Sequence, residues 1–443
     1  MKIYFFGGVQ EVTGSNFLLE SNEGKILIDC GLIQKQDVCS IENFLPFEYE
    51  PSSIDAVFIT HGHLDHVGRL PKLLKEGFKG YIYSTLPTKD IAEEILIDSQ
   101  KIIQENCINF NQENLYQQED IEKLMSRWQA LDYYDIFKIK DFEITFFNAG
   151  HILGSAFLKI NNFVFSGDLG NEGKSLTYKL DDLPKTDYLV LESTYGNRLH
   201  EDLDKRKLIL EKILEKTIYQ KRILIVPAFA VERTQEIIFD IQSLIKEKKI
   251  PPVRIFLDSP LALKISKIYE KYAEYLNPQS AKEILSSGIF DKQYLKIIRD
   301  FKDEKEMFSC SPPKIILAGS GMITGGRILN ILQEYIELPE TTLLFVGYQA
   351  KGSLGRKILD GEKKIEINGN DYDVKAEILT LFSYSAHPDQ EAILNWIKPQ
   401  RFKIKKIMLT HGDIESKEAL KTRIMDELAI ETIIPQYKES FEF

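Results

Sequence analysis

The sequence predicts an α/β protein: two antiparallel-rich sheets with helices packed outside, and a separate parallel α/β unit inserted into them. Three observations carry this. Residues 1–202 run as a meander of short apolar segments joined by glycine and aspartate turns. From 203 to 364 the rhythm becomes strand–helix–strand, with helix-length spacers that favour parallel pairing. At 365 the meander returns and runs to 443. The expected domains are 1–202, an insert at 203–364, and 365–443 completing the first.

Taken in order, "KIYFFGG", "NFLLES", "KILIDCG" and "AVFITHG" are strands rich in Ile, Leu and Phe and bounded by turn residues. "KGYIYST" is the next, and residues 88–128 have helical periodicity, as in "DIAEEILIDSQKIIQE". "FEITFFNAGH", "SAFLKI", "NFVFSGDLG" and "DYLVLESTYG" continue the meander. In the insert, the helix "DLDKRKLILEKILEKTIYQK" leads into the strand "RILIVPAFA" and the helix "ERTQEIIFDIQSLIKEKK". "PVRIFLDSP", helices to about 301, "KIILAGSGM" and "TTLLFVGYQ" follow. "KIEINGNDYDVKAEIL" reads as a hairpin turning at Asn368-Gly369. "LTLFSYSAHPDQ", a helix, "KIMLTHGD" and a last helix close the chain.

Composition narrows the function classes. Hydrophobic residues at 43% and charged residues at 28% describe a folded enzyme rather than a disordered chain. A net charge of −11 argues against a broad basic face for gripping nucleic acid, though bound metal can supply a local positive site. The four cysteines form no CxxC pair and no disulfide framework, so a reducing cytoplasm is expected. The N-terminus lacks the apolar stretch of a signal peptide, and no run is long enough to span a membrane.

Of seven histidines, three fall in "HGHLDH": His61, His63 and His66, with Asp65 among them. The run follows the strand "AVFIT", on the turn into a helix. Alternate residues there can face one centre and their neighbours a second. Imidazole and carboxylate are the usual N and O donors for zinc. His151 in "NAGHILGSA", His387 in "SYSAHPDQ" and His411 in "LTHGD" also sit at strand ends, as do Asp168 in "SGDLG" and Asp29 in "LIDCG". A sheet-built site collects its polar groups at such ends. His200, in "NRLHED", reads instead as a solvated surface residue.

This constellation resembles the metallo-β-lactamase fold, an αβ/βα sandwich with its site along one edge. "GGVQEVTGSNFLL", "ESTYGNR", "PAFAVERTQE", "DSPLA", "GSGMITGGR", "VGYQAKGSLGR", "SAHPDQ" and "LTHGD" together resemble its β-CASP branch, with an inserted parallel α/β β-CASP domain. Within the branch they are similar to the RNA-processing members, relatives of the endonuclease subunit of eukaryotic pre-mRNA 3′-end cleavage. The resemblance implies that His61, His63 and His151 hold one zinc ion and Asp65, His66 and His411 another. Asp168 would bridge the two ions, with a hydroxide opposite, and Asp29 would orient the motif from behind. Glu192 and His387 would be the pair specific to the branch.

The implied activity is hydrolysis of phosphodiester bonds in single-stranded RNA by a metal-bound hydroxide, in RNA processing or decay. Two divalent ions about 3.5–4 Å apart lower the pKa of a shared water and stabilise charge on the attacked phosphate. Manganese or iron would also suit such donors. Asp65, Glu192 and His387 are the expected catalytic residues. His387 would protonate the leaving oxygen while Glu192 holds its ring. "AGSGMITGG", residues 318–326, would cradle a phosphate on Ser320 and Gly321, with Ser385 beside His387. Arg327, Lys351 and Arg356 would contact the RNA, although they read equally well as solvated charges. An insert capping the metal edge would admit only a single strand.

The chain departs from the family in two places: Asn16 stands where Cys is common, and "HGD" replaces "HGE", leaving Asp413 one methylene shorter. His411 itself favours RNA, since DNA-processing members commonly carry an apolar residue there. A small-molecule thioester or lactone hydrolase, and a non-catalytic RNA-binding subunit, are the competing readings. A homodimer is a further expectation.

Overall fold

The computed structural model describes residues 1–34, 39–107, 115–201, 205–290, 293–350 and 352–443. The chain forms two compact units: one of residues 1–172, 178–199 and 387–443, the other of residues 173–177 and 200–386.

The first unit is a sandwich of two seven-stranded sheets. One runs, in spatial order, Ser440–Glu442, Lys2–Gly7, Asn16–Glu20, Lys25–Ile28, Ala56–Phe58, Tyr81–Ser84 and Trp128–Ala130. The other runs Glu431–Ile433, Lys406–Thr410, Tyr188–Glu192, Phe163–Phe165, Ala156–Ile160, Phe142–Asn148 and Ile136–Ile139. Period-two alternation decides what each face meets. Ile3 and Phe5 enter the core between the sheets, with Phe17, Phe58, Phe146, Phe163 and Phe165. Their neighbours Tyr4 and Phe6 face the other way, against the helix-covered core of Leu27, Val57, Leu73, Leu96 and Leu124. The helices Leu70–Lys75, Leu86–Asn106 and Gln118–Ser126 supply that outer layer. Thr85 caps the longest of them by accepting from the Thr88 N–H, and Pro87 sits in its first turn. Gln390–Ile397 and Ile414–Arg423 cover the second sheet through Ile393, Leu394, Ile397 and Leu420.

The sheets are not antiparallel-rich, as expected, but mixed. Lys25–Ile28 pairs antiparallel with Asn16–Glu20 and parallel with Ala56–Phe58. Phe163–Phe165 likewise pairs antiparallel with Ala156–Ile160 and parallel with Tyr188–Glu192. Hairpin-linked strands pair antiparallel, and strands reached by a longer crossover pair parallel. Short edge strands at Trp128–Ala130, Ile136–Ile139, Glu431–Ile433 and Ser440–Glu442 add to the sequence reading. The last pairs with Lys2–Gly7, so the chain does not close on a helix.

The second unit has a six-stranded, all-parallel sheet ordered Leu295–Ile297, Arg254–Asp258, Lys314–Ala318, Ile223–Pro227, Thr341–Phe345 and Glu377–Thr380. Its inner strands Lys314–Ala318, Ile223–Pro227 and Thr341–Phe345 are buried from end to end. Continuous apolar runs are what a sheet covered on both faces requires. The hairpin Lys364–Ile367/Asn370–Asp373 turns at Asn368 and Gly369, both with positive φ.

Two expectations are corrected here. The inserted unit extends past residue 364 to Ala386, because Glu377–Thr380 adds in parallel to Thr341–Phe345 rather than rejoining the first unit. Cys39 and Cys107 form a disulfide with a sequence separation of 68. Both belong to the same apolar core, and so wide a spacing leaves no local signature. Among the described residues, no helix is long and apolar enough to cross a membrane.

Candidate metal centre

Strand ends of both sheets deliver the polar groups of the first unit to one place. Asp29 follows Lys25–Ile28, His61 follows Ala56–Phe58, and His151 follows Phe142–Asn148. Asp168 follows Phe163–Phe165, Glu192 ends Tyr188–Glu192, and His411 follows Lys406–Thr410. His63 caps, and Asp65 and His66 lie within, the short helix Leu64–Val67. Close approach at two glycines makes the assembly possible. A Cβ on Gly31 would lie 1.5 Å from the Asp65 carbonyl oxygen, and one on Gly167 would lie 2.6 Å from Thr60 Cβ. Asp29 and His411 themselves adopt left-handed backbone, φ 59° and 49°, a conformation held against its cost by the surrounding structure.

The side chains converge in two groups. His61, His63, His151 and Asp168 form one, and Asp65, His66 and His411 the other. Asp168 faces both. Its Oδ2 lies 3.4 Å from His61 Nε2 and 3.6 Å from His151 Nε2. Its Oδ1 lies 3.4 Å from His66 Nε2 and 3.5 Å from His411 Nδ1. His63 Nδ1 is 2.9 Å from His61 Nε2 and 3.3 Å from His151 Nε2. His411 Nε2 is 3.3 Å from Asp65 Oδ2.

Partners behind the rings set which nitrogen faces inward. Asp29 Oδ2 accepts from His66 Nδ1 at 2.7 Å and from the Thr60 hydroxyl at 2.8 Å, while its Oδ1 accepts from the Thr60 N–H. The Leu169 carbonyl accepts from His151 Nδ1 at 3.1 Å. Thr60 Oγ1 lies 3.1 Å from His61 Nδ1. In each case Nδ1 is engaged outside the centre and Nε2 is turned into it, the arrangement that orients metal-binding imidazoles.

The donor set fits cations. His66 Nε2 and Asp168 Oδ1 are buried 3.4 Å apart, and neither makes a well-formed hydrogen bond. Buried polar atoms left in this way call for a partner. Burial works against charge on Asp168, but His411, His66 and His61 hold its carboxyl well below the usual range. Burial, then His387, pushes His151 well below its ordinary value, and burial lowers His61. His66 is raised well above its ordinary value despite burial, by Asp168, Asp29 and Asp65. The lowered His61 and His151 suit metal binding as neutral imidazoles, while the raised His66 and His411 report the negative charge of Asp168, Asp65 and Asp29 that a cation would balance.

His387 stands beside the first group, its ring 4.6 Å from that of His151. Its Nδ1 lies 3.0 Å from Glu192 Oε2, and its Nε2 is 4.0 Å from Asp168 Oδ2. Glu192 Oε1 also accepts from the Leu169 N–H at 2.6 Å, so one carboxylate ties His387 to the turn carrying Asp168. Thr60, Thr194 and the Leu169 backbone are participants the sequence reading missed. For Thr60 the signal was a threonine immediately before a histidine in "THGH"; the same pattern in "THGD" points to Thr410 rather than to Thr194.

The expected RNA-contacting residues lie in the second unit, except that Lys351 falls outside the described residues. The glycine-rich turn closes largely on itself. Ser320 Oγ accepts from the Thr324 N–H, the Ser320 N–H donates to Gly325, and the Ile323 N–H donates to Ser320. The Thr324, Ser320 and Ile323 N–H groups are thus bonded within the turn. Gly321 packs against the Phe229 ring. Arg327 pairs with Asp258, and Arg356 with Asp360 at 2.9 Å. Ser385 is buried, and His200, expected at the surface, is half-buried.

Three domain families match the chain. The metallo-beta-lactamase superfamily domain covers residues 18–164 and the Beta-Casp domain residues 234–358. The Zn-dependent metallo-hydrolase RNA specificity domain covers residues 371–435. Ribonuclease TTHA0252 of Thermus thermophilus is 34% identical over 95% of both chains. The RNase J-like protein of Methanocaldococcus jannaschii is 31% identical over 97% of both. Transcription termination factor FttA of Methanosarcina mazei is 32% identical over 98% of this chain and 70% of its own. A crystal structure of an Enterococcus faecalis protein of unknown function aligns over 99% of each chain, with TM-score 0.57 and 13% identity, a likeness of fold alone.

Proposed function

The chain belongs to the metallo-β-lactamase/β-CASP ribonuclease family, and from that premise we propose how its own residues cleave RNA. It is a zinc-dependent metallo-hydrolase acting on RNA. The finer reading is a site for two ions, with single-stranded RNA as substrate. One observation carries the two-ion site: Asp168 turns one carboxylate oxygen to each of two histidine groups. His61, His63 and His151 would hold one ion, Asp65, His66 and His411 the other, and Asp168 both. When bound, such ions lower the pKa of water and stabilise charge on an attacked phosphate.

The remaining work falls to side chains. Asp29 and Thr60 hold His66 and His61 in orientation, so the ligand nitrogens keep their places while charge moves. His387 faces the same cavity through Nε2 and is held through Nδ1 by Glu192. That geometry suits a general acid, which gives its proton to the departing ribose oxygen as the phosphodiester bond breaks. Glu192 keeps the ring turned.

The test is a 5′-labelled, unstructured single-stranded RNA incubated with the wild type, a chelated sample and a His387→Ala variant, with metal content read on each. Labelled fragments from the wild type, abolished by chelation, are expected. The variant should retain both ions and lose about 10²–10⁴ in rate, the range for a removed general acid. Cleavage at the wild-type rate in the variant removes His387 from proton transfer. Intact RNA with two ions bound overturns the single-stranded RNA reading.

A further inference from the structure

Thr-His-Gly occurs twice at strand ends facing the centre, as Thr60-His61-Gly62 and Thr410-His411-Gly412. The fold uses the two threonines differently. Thr60 donates its hydroxyl to Asp29 and lies beside His61 Nδ1. Thr410 turns away and donates to the Leu191 carbonyl at 3.4 Å. Its counterpart role beside His411 passes to Thr194, just beyond the end of the neighbouring strand Tyr188–Glu192. Thr194 Oγ1 is 3.1 Å from His411 Nδ1 and 3.3 Å from the His411 carbonyl oxygen. Both residues are buried.

A hydroxyl carries a single proton. Donated to the His411 carbonyl, it leaves an oxygen lone pair for an N–H at Nδ1. The imidazole lone pair then resides on Nε2, which faces Asp65. His411 has a competing use. Its Nδ1 is also 3.5 Å from Asp168 Oδ1, and Asp168, His387 and His411 form a convergent group of their own. A ring free to offer either nitrogen would divide its time between the two arrangements.

We propose that Thr194 is a positioning residue that commits His411 to the Asp65–His66 group, by engaging Nδ1 and pinning the backbone of a residue in left-handed conformation. The proposal rests on the reading of His411 as a zinc ligand. Thr194 touches no substrate and acts only through His411. The backbone holds the same residue from two further sides: the His411 N–H donates to Gly8 and the Ser193 N–H to the His411 carbonyl. Loss of the Thr194 hydroxyl should therefore disturb the ring more than the fold.

The experiment compares Thr194→Val, Thr194→Ser and His411→Ala with the wild type. Zinc affinity is read by competition with a chromophoric chelator, folding by thermal unfolding, and the His411 tautomer by ¹⁵N-histidine NMR, with His411→Ala assigning the resonance. Thr194→Val is expected to keep the ion at His61, His63 and His151 and lose about 10–100-fold affinity for the ion at Asp65, His66 and His411, the usual effect of removing such a partner. Its His411 signal should leave the tautomer with the proton on Nδ1. Thr194→Ser should restore both readouts. Wild-type affinity and tautomer in Thr194→Val overturn the proposal, as does equal weakening in the serine and valine variants. If His411→Ala leaves both affinities unchanged, the ligand assignment itself fails, and the proposal with it.

Discussion

At the scale of single residues, Asp168 has the most to do. It is buried, opposes two histidine groups with its two oxygens, and keeps its charge because imidazoles surround it. Asp168→Asn keeps the shape and removes the charge. If the site holds the two proposed ions, both should weaken together, seen as zinc content falling toward none per chain after gel filtration in chelated buffer. Loss of a single ion would show that Asp168 serves only one group. Much of this residue chemistry was legible beforehand. His61, His63, Asp65 and His66 are local in sequence, so their spacing could be read directly. Thr194 was not legible, because its relation to His411 exists only across neighbouring strands. Nor could the glycine-rich turn at 318–326 be judged, since nothing in its letters shows that Ser320 is occupied by Thr324 and Gly325.

At the scale of elements, strand ends place the chemistry and glycines let the ends meet. Gly31 leaves no room for a side chain beside the Asp65 carbonyl. Around it the backbone interlocks: the Cys30 N–H donates to His66, and the Leu32 N–H to Leu64. Gly31→Ala should push the helix Leu64–Val67 outward and lower affinity for the ion proposed at Asp65, His66 and His411, while the one proposed at His61, His63 and His151 is weakened less. Chelator competition checks this, and two unchanged affinities would show that the helix does not need that contact. Long strands with clear alternation were readable as elements. The three-residue strands Glu431–Ile433 and Ser440–Glu442 were not, because so short a run has no periodicity of its own and exists by pairing with a distant partner.

At the scale of the whole molecule, the metal-facing residues all fall in one unit, although that unit is assembled from three stretches of chain. The Cys39–Cys107 disulfide encloses the segment carrying His61, His63, Asp65 and His66. A loop of that length is worth about 4 kcal/mol in the chain-entropy account. A Cys39→Ser/Cys107→Ser double variant should therefore unfold earlier, by roughly 10 °C in the transition of the sandwich unit at the few degrees per kcal/mol usual for that size. Calorimetry under non-reducing conditions reads the shift. An unchanged Tm would mean the two thiols are not joined in the folded protein.

The sequence by itself determined the candidate donors, the alternation that makes a sandwich of the first unit, and the apolar runs that make a parallel sheet of the second. These are local properties, set by the period of a strand, the spacing of a motif and the chemistry of imidazole and carboxylate. Only the tertiary structure decided which nitrogen each ring turns inward, where the inserted unit ends, and which two cysteines meet. Those depend on pairings between residues far apart in the chain, such as Glu192 with Thr410 in register or Cys39 beside Cys107. Such contacts form when the whole core closes, and no local pattern encodes them.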